Sequence, residues 1–163
     1  MTVLGIDPGL HRLGFAIVKS KKSEIIPVSY GLISTAPELS KQERLAQIYD
    51  DMSLIIDKYH PDIVALETLI FAKNTKTATT VSEVRGVLLL LCEKKQKPVS
   101  EFAPLQVKTS VTGYGRAGKS QIQSAVKLIL SLKEVPSPDD VADALAVAIC
   151  ALNNAEFQKR LNG

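Results

Sequence analysis

Two acidic residues end short apolar segments that have the character of buried strands. Asp7 follows the run Thr2 to Ile6, and Glu67 closes the segment that begins at Asp62. If the two strands are parallel neighbours, their carboxylates lie about 5 Å apart, the spacing of paired strands. Two negative charges at that distance raise each other's pKa, and a divalent cation removes the repulsion. An acid before Pro-Gly is also common in ordinary turns, so Asp7 alone has a structural explanation as well.

A second pair of acids lies near the start of the last predicted helix. Ser137 and Pro138 suit a helix N-terminus, and Asp139 in the first turn favours the helix dipole. Asp143 lies beyond that turn in a largely apolar helix, where an unpaired carboxylate is unfavourable. Asp140 and Asp143 are three residues apart and therefore point to nearly the same side. We interpret this pair as cation ligands in preference to helix-capping acids.

Together the four acids form an all-oxygen set, which suits magnesium or manganese and not zinc. Two such ions can hold the attacking water and the leaving oxygen of a phosphodiester. Cys92 and Cys150 stand far apart in apolar runs, and the sequence has no Cys-x-x-Cys or Cys/His cluster. We therefore predict two buried free thiols and no zinc site.

Basic residues are concentrated in two windows that lack acids. No acidic residue lies between Glu101 and Glu134, and a second such window follows Glu67. The basic residues in these windows are Lys108, Arg116, Lys119, Lys127 and Lys133 in the first, and Lys73 and Lys76 in the second. A solvated helix face could carry lysines too, but such a face usually includes some glutamate. We interpret the windows as a surface that binds the phosphate backbone of a substrate.

The chain has 163 residues, of which 45% are hydrophobic and 23% charged, with a formal net charge of +3. These proportions exclude a disordered tail, a collagen-like fibre and a disulfide scaffold. We predict one domain spanning residues 1–163. Apolar runs such as Val87 to Cys92 are far too short to span a bilayer, and the first residues do not resemble a signal peptide. We therefore predict a cytoplasmic protein without a membrane partner.

Hydrophobic periodicity predicts strands that form an antiparallel meander and then alternate with helices. Strands are predicted at residues 2–6, 14–18, 25–33, 62–67 and 98–102, and helices at 40–59, 75–95, 119–132 and from 137 onward. Residues 104–112 fit either a helix or a strand. The segment Val84 to Leu91 is apolar on every side, which implies full burial or a subunit contact. This order predicts a three-layer α/β domain with a mixed sheet.

Six short motifs are distributed over these segments. They are LGIDPG at Leu4 to Gly9 with Gly14, ALE at Ala65 to Glu67, AKN at Ala72 to Asn74, QVK at Gln106 to Lys108, GKSQ at Gly118 to Gln121, and DDVADALA at Asp139 to Ala146. They span nearly the whole chain, and they are specific as a set. In order and spacing they resemble the motifs of the RuvC family of Holliday junction resolvases, which cut four-way DNA junctions.

The resemblance implies an RNase H-like fold with a five-stranded mixed sheet flanked by helices, a homodimer, and paired, symmetric, metal-dependent cuts in recombination and repair. It implies two Mg²⁺ ions in each active site, with Mn²⁺ as a possible substitute, and the branch-migration proteins RuvA and RuvB as partners. The catalytic and metal-binding acids that it implies are Asp7, Glu67, Asp140 and Asp143. The DNA-binding residues that it implies are Lys108, Lys119, Arg116, Lys73, Asn74, Phe71 and Tyr114.

An aromatic residue in the family's second motif region can stack on an unpaired base. Ile70 precedes Phe71 here, so the aromatic lies one position later than in some relatives. Ordinary packing is the other interpretation of Phe71. The sequence leaves both open.

The segment Gly113 to Ser120 also matches the G-x-x-x-x-G-K-[ST] pattern of nucleotide-binding phosphate loops. Too little chain follows it to build a nucleotide-binding sheet, and Lys108 and Thr109 interrupt the segment where the preceding strand should lie. We interpret the glycines as a basic loop that approaches DNA closely.

Parts of the sequence also fit other kinds of site. The Asp7-Pro8-Gly9 turn also fits actin-like and sugar-kinase-like phosphate sites, but such proteins need two lobes. A junction-binding protein without catalysis would lack at least one of the four acids, and all four are present. His11 lies close to Asp7 in sequence, yet it follows no ligand spacing and is interpreted as a turn or surface residue.

Overall fold

The fold is described from a computed structural model that covers residues 1–22, 24–69 and 75–162. Its strands are β1 (Thr2–Asp7), β2 (Arg12–Lys21), β3 (Glu24–Ser34), β4 (Ile63–Glu67) and β5 (Val99–Phe102). Its helices are α1 (Lys41–Tyr59), α2 (Thr75–Lys94), α3 (Pro104–Thr112), α4 (Lys119–Ile129) and α5 (Asp139–Asn162).

The five strands form one mixed sheet in the order β3-β2-β1-β4-β5. Strands β1, β2 and β3 are antiparallel, as the predicted meander requires, whereas β4 pairs parallel with both β1 and β5. Ile6 is in register with Leu66, so the next residues, Asp7 and Glu67, lie side by side where these strands end. The predicted mixed sheet is confirmed, and β1 and β4 meet the condition of parallel neighbouring strands under which the two acids were expected to lie together.

Helices cover both faces of the sheet and bury two separate hydrophobic cores. One core joins the sheet to α3, α4 and α5, and the other joins it to α1 and α2. Alternate residues of β1 serve the two cores, since Val3 lies in the first while Leu4 and Ile6 lie in the second. This arrangement is the predicted three-layer domain.

Helix α5 lies unusually close to β1 and β2. A Cβ atom added to Gly5 would overlap the main-chain oxygen of Ala144, and one added to Gly14 would overlap that of Asp140. From 141 to 152 every residue of the helix is buried except Asp143, which is half-buried. The close approach therefore brings Asp140 and Asp143 of α5 towards the strand ends that carry the other acids.

The segment that the sequence left ambiguous, 104–112, is helix α3. Pro104 occupies its first turn, and the side-chain oxygen of Gln106 accepts a hydrogen bond of 2.8 Å from the amide of Ala103. Gly113 ends the helix in the left-handed conformation, with φ of 73°. Several predicted boundaries also differ from the observed ones: β2 extends over Arg12–Lys21 and not 14–18, α4 stops at Ile129, and α5 begins at Asp139.

The apolar half of α2 is buried on one side only. Val84, Leu88 and Leu91 are fully buried, whereas Leu89 and Leu90 are 40% and 54% exposed. Full burial, one of the two readings of this run, is therefore wrong, because the sheet and α1 cover only the inner face of the helix. The exposed pair leaves a subunit contact as the reading to test.

Both cysteines are free and buried, as predicted, and burial raises the pKa of the Cys92 thiol to about 11. Among the helices in the described part of the chain, none has the length and apolar character to cross a membrane.

The packing of α5 predicts unequal effects for two glycine substitutions in strands. Gly5→Ala forces a methyl group into the helix backbone, and we expect a loss of about 1–3 kcal/mol of unfolding free energy. Gly31→Ala in β3 is the matched control, because its added Cβ meets only the side chain of Phe15, at 3.2 Å. Chemical denaturation measures both variants. Equal, small effects would contradict the close contact.

Candidate active site at the strand ends

Three of the four predicted acids line one cavity at the carboxyl ends of β1 and β4. The cavity has a volume of about 220 Å³ and contains the side chains of Asp7, Glu67 and Asp143. Its other lining residues are Pro104, Val107, Lys108, Lys119, Ile122, Ala146 and Val147. Two lysines thus share a small cavity with three carboxylates that lie far apart in the sequence.

Five elements supply the polar groups of this cavity. Asp7 and Glu67 end the parallel strands β1 and β4, and Asp143 lies one turn into α5. Lys108 belongs to α3 and Lys119 is the first residue of α4. The hydrophobic faces of α3 and α4 pack against α5, which brings their lysines to the acids.

Burial and mutual repulsion raise the pKa of each acid in the cavity. Burial is the largest cause for Asp7, followed by the charges of Asp143, Asp140 and Glu67, and the pKa reaches about 7. Burial and then Asp143 raise the pKa of Glu67, while Lys108 and Arg85 oppose them. The pKa of Asp143 is raised chiefly by burial, against the effect of Lys119.

This electrostatic arrangement fits a divalent cation. In residues 1–22, 24–69 and 75–162, no three acidic, histidine or cysteine side chains already converge as a ligand cage. The donors are nevertheless all carboxylate oxygens, which hard cations prefer, and their repulsion is the kind that a cation relieves. Asp7, Glu67 and Asp143, with Asp140 beside them, would hold such an ion.

The fourth acid, Asp140, lies at the rim and forms an ion pair with Arg12. It remains close enough to raise the pKa of both Asp7 and Asp143. The side chain of Asp139, in the first turn of α5, is more than half exposed and accepts hydrogen bonds of 3.2 Å from Lys119 and 2.8 Å from Gln123. The contact with Asp139 and the nearby acids raise the pKa of Lys119.

Two arginines at the site were not found by sequence reasoning. Arg12 pairs with Asp140, and buried Arg85 of α2 donates hydrogen bonds to the main-chain oxygen of Glu67 and to the carboxylate of Glu101. Arg85 therefore ties α2 to the strand end that carries a candidate ligand. A charged residue beside Val84 on the inner face of an apolar helix was the available signal.

The remaining predicted DNA contacts are only partly described. Arg116 and Tyr114 are both exposed in the loop between α3 and α4. Phe71, Lys73 and Asn74 lie outside the described residues, as does Ile70.

The glycine-rich loop lacks the setting of a nucleotide-binding phosphate loop. It connects α3 to α4, whereas such a loop follows a buried strand. His11 contacts Arg44, and that buried arginine donates to the main-chain oxygens of Leu39 and Pro37. His11 is exposed at the bend before β2, as the interpretation of a turn or surface residue requires.

A larger groove of about 580 Å³ lies between β5, α3 and α5. It is lined by Phe102, Leu105, Gln106, Thr109, Ser110, Cys150, Asn154 and Phe157, none of them charged. Because it offers no acid, base or cation, the smaller cavity is the candidate active site.

The raised pKa of Asp7 predicts a pH-dependent effect of Asp7→Asn on stability. The folded chain keeps a proton on Asp7 up to about pH 7, whereas the unfolded chain loses it near pH 3.8. The acid therefore destabilises the fold increasingly as pH rises from about 4 to about 7. In EDTA at pH 8 we expect Asp7→Asn to melt about 2–8 °C higher than the parent chain, with a smaller gap at pH 5.

Added Mg²⁺ should then raise the melting temperature of the parent chain at pH 8 more than that of Asp7→Asn. The exposed Asp57, whose partner is Lys95, provides the control Asp57→Asn. A gap that does not depend on pH, or one that Asp57→Asn reproduces, would contradict the repulsion described for Asp7.

Comparison with known proteins gives one consistent family. The family model described as crossover junction endodeoxyribonuclease RuvC matches residues 3–151. The crossover junction endodeoxyribonuclease RuvC of Caldicellulosiruptor saccharolyticus is 53% identical over 92% of this chain and 91% of its own length. The protein of the same name from Clostridioides difficile is 47% identical over 99% and 95%.

Solved structures agree with these relatives. Thermus thermophilus RuvC superposes with a TM-score of 0.88 at 31% identity, over 97% of each chain. The same protein in complex with a Holliday junction substrate gives 0.92 over 97% of this chain and 96% of that one. A yeast mitochondrial Holliday junction resolvase, at 16% identity and a TM-score of 0.66, shares the fold. The expected RNase H-like architecture is confirmed, and the chain belongs to the RuvC family of crossover junction endodeoxyribonucleases.

Proposed function

We propose that this chain resolves four-way DNA junctions by paired, Mg²⁺-dependent hydrolysis at the cavity that contains Asp7, Glu67 and Asp143. The supporting observation is that these three carboxylates share one small cavity with Lys108 and Lys119, in a member of a nuclease family. A junction-binding role without catalysis would not need clustered acids whose repulsion raises their pKa values.

Divalent ions held by Asp7, Glu67, Asp143 and Asp140 would activate water and stabilise the leaving oxygen during in-line attack on phosphorus. Asp7 must lose its proton to bind a cation, because the pKa of its carboxyl lies near 7. We propose two Mg²⁺ ions in each site, with Mn²⁺ able to substitute.

The lysines would bind and orient the substrate. Lys108 is half-buried beside the acids and lowers the pKa of Glu67 and Asp143, so its charge lies within reach of the same groups. Lys119 is exposed at the entrance. Both can offset the negative charge of a phosphate that approaches the carboxylates.

Further DNA contacts are proposed in the loop between α3 and α4, through exposed Arg116 and Tyr114. The family resemblance supports the same role for Lys73, Asn74 and Phe71. The chain would act as one domain in the cytoplasm, in cooperation with RuvA and RuvB. Those two partners rest on family membership alone.

The decisive experiment incubates the purified protein with a labelled four-way junction, with and without Mg²⁺. We expect symmetric paired cuts that require Mg²⁺. In Asp7→Asn these cuts should fall by at least about a hundredfold while junction binding persists, because the substitution removes a ligand and leaves the lysines in place.

Asp57→Asn serves as the control, since Asp57 lies near the end of helix α1, outside the cavity, and pairs with Lys95. It should cut like the parent chain. Cleavage that survives a chelator, or that survives Asp143→Asn, would contradict the proposed metal site.

We propose a homodimer because one site cuts one strand, while the junction has two-fold symmetry. The exposed leucines Leu89 and Leu90 on α2 support this face as part of the interface, since they extend the apolar side of a helix whose inner face is already packed. Arg85 of the same helix donates a hydrogen bond to the main-chain oxygen of Glu67, so the helix that carries these leucines also contacts the site.

Leu90→Glu should therefore shift the protein from dimer to monomer, because it places a charge in a desolvated contact. Light scattering after size exclusion measures the mass. Leu128→Glu on α4 is the control, since Leu128 is 78% exposed on a different helix, and it should leave the mass unchanged. A Leu90→Glu protein with the parental mass would exclude this part of α2 from the interface.

A further inference from the structure

Arg12 lies beside the candidate site but has no role in the proposed hydrolysis. Its guanidinium pairs with the carboxylate of Asp140 at the rim of the site. The Arg12 side chain is 50% exposed and that of Asp140 is 26% exposed, so the pair lies on the boundary between solvent and the acidic cavity.

Local geometry directs Arg12 to this place. A Cβ on Gly9 would overlap the main-chain oxygen of Arg12, so the Pro-Gly turn folds tightly against the start of β2. Two residues later, Gly14 faces Asp7 across the sheet and contacts the backbone of Asp140. The start of β2 therefore lies along the first turn of α5.

Two cationic side chains, Lys119 and Arg12, lie near the Asp140 carboxylate. Lys119 of α4 also acts on Asp140, but its hydrogen bond goes to Asp139. Arg12 is the residue in direct contact with the Asp140 carboxylate. A cation shared with Asp7 and Asp143 would compete with Arg12 for the Asp140 carboxylate, one oxygen of which Arg12 contacts.

Half of the Arg12 side chain is exposed and therefore accessible to a substrate phosphate. A guanidinium carries five N–H donors and binds phosphate well, so one bond to Asp140 does not exhaust it. A DNA phosphate can therefore compete with Asp140 for Arg12, as a cation can compete with Arg12 for Asp140.

We propose that Arg12 is a positioning residue that couples DNA binding to metal binding. In one arrangement Arg12 holds Asp140 away from the ion; in the other it binds a backbone phosphate and releases Asp140 to the ion. By linkage, DNA then raises the affinity for metal by the same factor that metal raises the affinity for DNA. This inference rests on the proposed function and adds the order of events at that site.

The first test measures Mn²⁺ binding to the protein alone by the electron paramagnetic resonance signal of the free ion. We expect Arg12→Gln to bind Mn²⁺ about two- to fivefold more tightly than the parent chain, the factor that corresponds to an exposed ion pair. Equal or weaker binding by Arg12→Gln would overturn the proposal.

A double-mutant cycle separates the direct contact from a general effect of charge. In an Asp140→Asn background, adding Arg12→Gln should leave Mn²⁺ affinity unchanged, because the shared carboxylate is gone. If Arg12→Gln still tightens Mn²⁺ binding in that background, the gain comes from the loss of a positive charge and not from the contact with Asp140. That result would overturn the coupling. Lys95→Gln is the control for loss of a paired surface cation, and it should bind Mn²⁺ like the parent.

The second test repeats the titration with a linear DNA duplex, which offers phosphates without a junction. The duplex should tighten Mn²⁺ binding by the parent chain at least about twofold more than it does in Arg12→Gln. An equal gain in both proteins would overturn the role of Arg12.

These measurements distinguish failure of the coupling through Arg12 from failure of the proposed function. If the parent chain neither binds Mn²⁺ nor cuts a labelled junction, the proposed function fails. If it does both while Arg12→Gln shows the parental Mn²⁺ affinity, only the coupling through Arg12 fails.

Discussion

The close contact of α5 with β1 and β2 is the constraint on which the rest of this structure depends. Main-chain atoms of the helix occupy the space where side chains at positions 5 and 14 would lie, so only glycine is accommodated there. The contact buries nearly all of the helix between 141 and 152. It also carries Asp143 to the ends of two parallel strands, where Asp7 and Glu67 already stand side by side.

A hydrophobic core thus stabilises an arrangement of charge that is unfavourable by itself. Burial and mutual repulsion raise the pKa of three carboxylates, and for Asp7 the value reaches about 7. Cationic side chains surround the cluster from four elements: Arg12, Arg85, Lys108 and Lys119. These cations moderate the repulsion without removing it, which leaves the carboxylates suited to a divalent ion and the outer cations suited to phosphate.

Much of the fold followed from local patterns. The meander and the helix from 41 to 59 were predictable, because apolar periodicity and Pro-Gly turns mark them directly. The parallel pairing of β1 with β4 was a condition for the two acids to meet, and only the structure established it. Residues 104–112 were not, because a short apolar segment fits a helix or a strand until its packing is known. The split of α2 into a buried face and an exposed Leu89–Leu90 pair also needed the positions of the sheet and α1.

The sequence alone determined which chemistry is available: four carboxylates at strand ends and on one helix, basic windows without acids, and motifs that resemble one nuclease family. It could do so because residue type, strand-end position and helical spacing are local properties. The tertiary structure decided how the charges are paired. Arg12 and Asp140 are 128 residues apart, and Arg85 reaches Glu67 from another layer of the fold. Such contacts depend on how the layers pack, and the hydrophobic periodicity of the sequence does not predict them.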